Sequence, residues 1–473
     1  MHFEDPTAPG PSDVPDTGPW YRGLNRYHWL VLIVAGLGWL FDTMDQQLFN
    51  LARKPAVTEL LRVSPGDPAM AGKVAEFGGY ATMIFMIGWA IGGLAFGILG
   101  DKIGRVKTML LTILLYSGFT GLSALSVGFW DFTFYRFLTG LGVGGEFAVG
   151  VALVAEVMPD RARTSALGWL QAVSALGNMT AALISIGLGS LEQSGAIDSA
   201  WRAMFVIGVL PALLVIVVFR YLHEPERWQK AAEAELAPTP GQEAKLGSSP
   251  SSSATRDGGA TPWSACSSRS PGSSASGDRL LQLRPDQLGL LGSLRGRPRP
   301  GIDADATKSF INGKLTLWVG ITSLLQNAGA FFGIYAFSRV TQVIGRRPAF
   351  AIAFVLAMVS TALTFWYLDQ FSEIFWMIPI MGFCQLSLFG GYAIYFPELF
   401  PTRLRSTGIS FCYNVGRLVA AAGPLTLGLL TSRVFAGYPE PMRYAGVAMC
   451  SVFLLGLIAL PFAPETKGKP LPE

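Results

Sequence analysis

The chain has 473 residues, 51% of them hydrophobic and 14% charged, with a mean hydropathy of +0.40; a soluble domain carries about 25% charged residues. Glycine, at 55 residues, makes up about 12% of the chain against a usual ~7%. These values exclude an ordinary soluble enzyme, a nucleic-acid binder and a disordered chain. They leave a polytopic all-α membrane protein whose glycines let helices approach closely, with the net charge of +4 read as basic loops facing anionic lipid.

Residues 1–28 are polar and proline-rich, carry no signal-peptide pattern, and read as a cytoplasmic tail. Apolar runs long enough to cross a bilayer follow near 29–49, 77–99, 107–127, 132–154, 165–189 and 202–222. They define an N-terminal helical bundle over 29–222. Residues 223–313 form a linker whose stretch 247–300 is dominated by Ser, Gly, Pro and Arg, a composition that cannot bury a core. Five more runs, near 315–337, 348–368, 374–396, 407–431 and 443–463, give a C-terminal bundle and short tail over 314–473.

Six runs and then five make an odd total. The longest apolar stretch in 279–313 is Leu288–Leu294, too short to span about 30 Å of hydrocarbon. Without a seventh span, Arg346, Arg347, Arg403 and Arg405 would face outside, against the Lys/Arg bias of cytoplasmic loops. Two readings stand: a frameshift or sequence error has replaced a real seventh helix, or the protein has eleven spans. The basic loops at 100–107, 159–163, 339–347 and 401–405 place both termini and the linker in the cytoplasm.

The two halves repeat each other. Glu156-x-x-Pro159-x-Arg161-x-Arg163 recurs as Glu398-x-x-Pro401-x-Arg403-x-Arg405, 242 residues on. Gly88-x-x-x-Gly92 followed by Gly104-Arg105 recurs as Gly329-x-x-x-Gly333 followed by Gly345-Arg346, 241 residues on. Repeated bundles are a mark of secondary transporters with a site near the bilayer midplane.

Ionisable residues inside the bilayer are costly and mark function. Asp42 and Asp45, at i and i+3, share a helix face. Two carboxylates in a dry interior suit proton binding and release; the alternative is a pair satisfied by Arg or Lys at a helix end. Arg136, Glu146 and Glu156 are spaced ten apart on one span, about 15 Å between neighbours, so they cannot share one site, and Glu146 is the deepest. Arg417 lies ten residues into the run 407–431. Its fork can hold a substrate carboxylate, or it pairs with Asp42, Asp45 or Glu146. Trp39, Trp89, Trp169, Trp318 and Tyr395 are candidate cavity walls. Gln171, Asn178, Gln326, Asn327, Gln385 and Asn414 are polar groups for substrate or for neighbouring helices. Gly140-x-Gly142-x-Gly144-Gly145 sits inside a membrane helix and reads as close packing, not as a nucleotide loop. The three histidines form no catalytic set, and no metal spacing, nucleotide loop or other cofactor motif is present, which argues against an enzyme.

Gly97-x-x-x-Asp101-Lys102-x-Gly104-Arg105-x-Lys107 resembles the signature loop of the major facilitator superfamily. The tail Pro464–Glu473 (PETKGKPLPE) looks like that of sugar porters. Pro397–Gly408 (PELFPTRLRSTG) and Phe41–Asp45 (FDTMD) resemble proton symporters for aromatic acids, sialic acid and related organic anions. The resemblance implies two six-helix bundles, alternating access and a central cavity, with Asp101, Arg105 and Glu156, and by the repeat Glu398 and Arg405, as gating residues. It further implies proton coupling at Asp42 and Asp45, functional weight at Arg136 and Glu156, and a substrate contact at Arg417; Asn414, Glu146 and Arg136 are the further substrate-binding candidates. Two departures stand in the second copy of the loop, Ser338 for the first Gly and Gln342 for the Asp.

The expected function is proton-coupled symport of a small organic anion by a monomeric protein of the cell (inner) membrane that binds substrate, protons and lipid but no nucleic acid. A sugar or polyol porter is the alternative, and a non-transporting sensor or inactive pseudo-transporter the rival of another class.

Overall fold

The computed structural model describes residues 19–62, 68–193, 195–236, 304–421 and 423–472, and among them every regular element is helical. Helix α1 (Arg26–Leu60) opens on Asn25, whose side chain accepts from the His28 amide at 2.8 Å. Then come α2 (Pro68–Ile103) and α3 (Arg105–Ser123), separated by Gly104 alone, whose φ of +112° breaks the helix where an L side chain would be strained. In α4 (Phe129–Val157) the first turn is capped by Asp131, which accepts from the Val127 and Gly128 amides. Helix α5 (Asp160–Gln193) follows. The sixth run is divided at Gly208–Pro211 into α6 (Ala200–Ile207) and α7 (Ala212–Tyr221).

Helix α8 (Glu226–Leu236) leaves the sixth span, and the second bundle begins with the 41-residue α9 (Ala304–Ile344). Both reach into the stretch read as linker. The proposed loss of span seven falls on residues outside those described. Beyond α9 are α10 (Arg346–Tyr367), α11 (Ile374–Leu399) and α12 (Arg405–Ala421). Then come α13 (Gly423–Leu429) with a π turn at Leu430–Val434, and α14 (Pro441–Met449) with α15 (Val452–Ala459). Among the described residues nine helices are long and apolar enough to cross a membrane. The runs near 315–337 and 407–431 lie in α9 and in α12–α13.

Glycine sets the spacing within each half. Gly88, Gly92, Gly140 and Gly144 bring α2 and α4 into backbone contact; a Cβ on Gly92 would stand 2.0 Å from the Leu141 carbonyl oxygen. The same contact recurs between α9 and α11, where a Cβ on Gly333 would meet the Phe383 carbonyl at 2.1 Å. Thus the 241-residue repeat is a repeat of contacts, and the glycine run of α4 serves packing. Helix α4 is buried over most of its length. Large apolar side chains such as Leu114, Phe134, Leu213, Phe219, Leu356, Trp376 and Ile458 cover the outside, as a lipid-facing surface requires. The halves meet along two seams, α2 against α12 and α5 against α9.

Candidate functional site

Two groups of buried polar residues stand out, one at an end of the seams and one deeper. At the end of α2, the Asp101 carboxylate accepts from the Ser406 amide (3.1 Å), the Thr407 amide (2.9 Å) and the Thr407 hydroxyl (2.6 Å). It thereby caps the N-terminus of α12 in the other half, where the helix dipole favours a negative charge. Arg105 pairs with Asp101 and with Glu156, each at 2.9 Å, and donates to the Thr402 carbonyl at 2.8 Å. Arg405 crosses from the second half to Glu156 Oε1 at 2.9 Å and donates to the Pro472 carbonyl at 2.8 Å. Asp101, Arg105 and Arg405 are fully buried. These groups come from both halves and from the tail, so the network ties the two halves together at this end.

The repeat builds a lesser copy. Arg346 pairs with Glu398 at 2.6 Å and reaches the Thr164 hydroxyl at 3.1 Å. Where Asp101 would have its counterpart, Gln342 donates to the Ser165 hydroxyl at 2.8 Å. The neutral amide therefore leaves this seam with hydrogen bonds and no carboxylate cap. The Ser338 departure is matched across the seam. A Cβ on Gly97 would stand 2.7 Å from Ser410 Cβ, and a Cβ on Gly168 would stand 2.3 Å from Ser338 Cβ.

Two acids went unsingled in the sequence. Glu224 accepts from the Arg105, Val106 and Lys107 amides at the start of α3. Glu465 accepts from the Arg346 and Arg347 amides at the start of α10. They stand 241 residues apart, so the repeat itself carried the signal. Burial works against the charge on Glu465, but the Arg346, Arg347, Lys467 and Thr466 amides outweigh it and hold this carboxyl below its ordinary range.

Deeper in the first half, Asp45 accepts from the Thr120 hydroxyl at 2.7 Å and lies 3.6 Å from Arg136. Arg136 also donates to the Ser123 hydroxyl at 2.8 and 3.0 Å, and its guanidinium lies over the Phe205 ring at 4.6 Å. Glu146 accepts from the Thr112 hydroxyl at 2.6 Å. Arg136 and Glu146 thus turn into the N-terminal bundle. Asp42, fully buried, has no hydrogen-bond partner on either oxygen. It lies in the electrostatic field of Glu146, Arg417 and Asp45.

Arg417 of α12 comes to this region from the other half. Its guanidinium lies over the Trp89 indole at 3.5 Å and donates to the Tyr413 hydroxyl at 2.8 Å, while its Nε has no partner. The Tyr413 ring stacks on Phe147 of α4 with centroids 3.9 Å apart, and Trp39 joins them 4.6 Å from Phe147. Asn414 donates to the Ser410 carbonyl at 2.8 Å and fits because residue 93 is glycine. Asn178 and Asn327 bond across the second seam at 3.0 Å. Trp318 packs on Phe371, and the Tyr395 hydroxyl donates to the Pro464 carbonyl, so neither faces the Arg417 region.

Residues 35–299 match the model of the Major Facilitator Superfamily, and residues 265–385 match that of the sugar (and other) transporters. A Haemophilus influenzae protein named for metabolite transport is 29% identical, with 95% of this chain and 99% of the relative covered. The cis,cis-muconate transport protein of Acinetobacter baylyi is 27% identical over 89% of this chain and 92% of the relative. The solved structure of the proton:xylose symporter XylE superposes with a TM-score of 0.64, at 18% identity, over 94% of this chain and 98% of that one, a likeness of fold. With the first match covering more than half of its length, the chain belongs to the major facilitator superfamily of membrane transporters and is not an enzyme.

Proposed function

We propose that the chain is a proton-coupled symporter of a small organic anion, with Arg417 holding the substrate carboxylate and Asp42, beside the Asp45–Arg136 pair, binding the driving proton. The observation that carries this reading is the contrast among buried charges. Asp45 is matched by Arg136 and Thr120, whereas Asp42 has no bonded partner and Arg417 keeps an unpartnered donor edge. An Arg over an indole, with its fork partly free, suits a planar carboxylate. The muconate carrier among the relatives supports an organic acid as cargo. Asn414, one residue from Tyr413, is a further substrate contact in this reading. Asp101, Arg105, Glu156, Arg405 and, in the second seam, Glu398 close the cytoplasmic side during alternating access, with both termini on that side. The protein works as a monomer in the cell membrane.

The test is uptake into proteoliposomes, with and without a pH gradient, over a panel of carboxylates and their amides. Arg417→Lys should weaken binding of the transported acid by about 1–3 kcal/mol, the worth of a charge-assisted bond. The amide should bind wild type more weakly than the acid, with little further loss on the variant. Equal binding of acid and amide would replace the anion with a neutral sugar or polyol. Asp42→Asn should abolish gradient-driven accumulation while substrate exchange survives, since exchange moves no net proton. Full accumulation by Asp42→Asn would remove the coupling role, and no uptake of any candidate would favour a sensor.

A further inference from the structure

The N-terminal bundle holds a second carboxylate that no cation matches. Glu146 is 2% exposed. One oxygen takes the Thr112 hydroxyl; the other, Oε1, has no partner. That free oxygen fills the place where a side chain at residue 38 would begin, 2.5 Å from the ideal Cβ position on Gly38. Gly38 is four residues before Asp42 on α1, so both positions share one helix face. The free oxygen of Glu146 and the unpartnered carboxylate of Asp42 therefore lie against the same strip of α1, about one helical turn apart.

The charged and titratable groups facing this pair come from each neighbouring helix. They are Asp45 on α1, Tyr116 on α3 with its hydroxyl unpartnered, Arg136 on α4 and Arg417 on α12. Arg136 is taken by Asp45, and Arg417 lies in the field of Asp42. Among the described residues no cation is left for Glu146. An uncompensated carboxylate in a dry interior costs several kcal/mol, whereas the protonated acid costs far less and can accept Thr112 unchanged. The next residue, Phe147, stacks on Tyr413, which accepts a hydrogen bond from Arg417. One backbone step thus separates this acid from the contact joining the two halves.

We infer that Glu146 is a second proton-binding residue of the transport cycle, loaded and emptied together with Asp42. The inference rests on the symport reading above. In one state Glu146 Oε1 takes a proton from the solvent on the side of higher proton concentration. In the other state the same O–H bond breaks and the proton leaves to the opposite side, restoring the carboxylate. With Asp42 acting likewise, two protons accompany each substrate, and a monocarboxylate moves with one net positive charge.

Infrared difference spectroscopy of the purified full-length protein under a pH jump tests this with the proton itself as probe. Wild type should show two titrating components in the carboxylic C=O stretch region. Glu146→Gln should remove one and leave the other, Asp42→Asn should remove the other, and Glu146→Asp should return the first at a shifted frequency. Gly38→Ala, which displaces only the end of a flexible side chain, should move the midpoint of the Glu146 component and not that of Asp42. If Glu146→Gln leaves the pH-dependent bands intact, or if Gly38→Ala moves neither midpoint, the inference falls. Asp42→Asn with both components unchanged would instead overturn the symport reading, so the two failures are separable.

Discussion

Arg136 and Arg417 are both arginines in membrane helices, and their surroundings separate them. Arg136 is enclosed by Asp45, Ser123 and the Phe49 and Phe205 rings; Arg417 keeps an unpartnered Nε beside an indole face. Arg136 therefore stands as the counter-charge of Asp45. Removing it by Arg136→Met leaves a buried acid without a partner and should cost about 3–5 kcal/mol. Adding Asp45→Asn should recover much of that loss. Thermal unfolding of the detergent-purified single and double variants measures both, and equal melting of all three would mean the pair is not coupled. The spacing of Arg136, Glu146 and Glu156 on one helix was legible in sequence, as was their separation along it. The direction each side chain faces was not, because helical period fixes relative angle and leaves the partner helix open. For that reason the contacts of Glu146 with Thr112 on α3 and with the strip of α1 at Gly38 needed the fold.

At the scale of the elements, the breaks matter as much as the helices. Gly104 and Gly345 both adopt positive φ, at +112° and +94°, and each hands the chain to a helix whose first amides are capped by an acid from far away in sequence. The glycines and the repeat were readable; the caps were hidden because Glu224 and Glu465 lie 119 residues downstream of the amides they serve. Composition alone also hid α8, a polar helix with little apolar face, held to the bundle through Trp228 donating to the Asp101 carbonyl. Glu465→Ala should loosen the start of α10 by about 0.5–2 kcal/mol, the usual worth of a helix cap. Amide hydrogen exchange at Arg346 and Arg347 should rise. Because the folded protein holds the Glu465 carboxyl below its ordinary range, the cap is fully present above the ordinary carboxylate range. It is lost as pH falls through the lowered value. The protection of these two amides relative to their intrinsic exchange rate at each pH should therefore fall on acidification in wild type and be insensitive to it in Glu465→Ala.

Across the whole molecule, the two seams are unequal. The α2–α12 seam carries a carboxylate cap and a three-part ion network; its counterpart carries the single ion pair Arg346–Glu398, Gln342 and two hydroxyl contacts. A ligand or substitution shifts a two-state equilibrium only through contacts made in one state, and the Asp101 contacts join the two halves at this end. Asp101→Ala should then raise the population open at that end. Cysteines placed along this seam, for example by Ser410→Cys, should react faster with a reagent added from the side that the Asp101 network closes. Unchanged reactivity would reduce Asp101 to a folding or topology residue. The two-bundle architecture was legible from the repeat, since contacts between α2 and α4 recur at the same offset between α9 and α11. The inequality of the seams was legible only as a missing acid; that Gln342 still finds a partner in Ser165 required the fold.

The Gly97–Ser410 and Ser338–Gly168 contacts hold one glycine and one serine each, in exchanged order. A family signature written as a glycine at a position scores the second copy as damaged, although the same volume is preserved there. What the two seams share is the pair. Changing one arrangement into the other one residue at a time passes through either two serines, which collide, or two glycines, which leave only a small gap. The gap is the passable intermediate, so the two seams are joined by a path in which the glycine arrives before the serine moves.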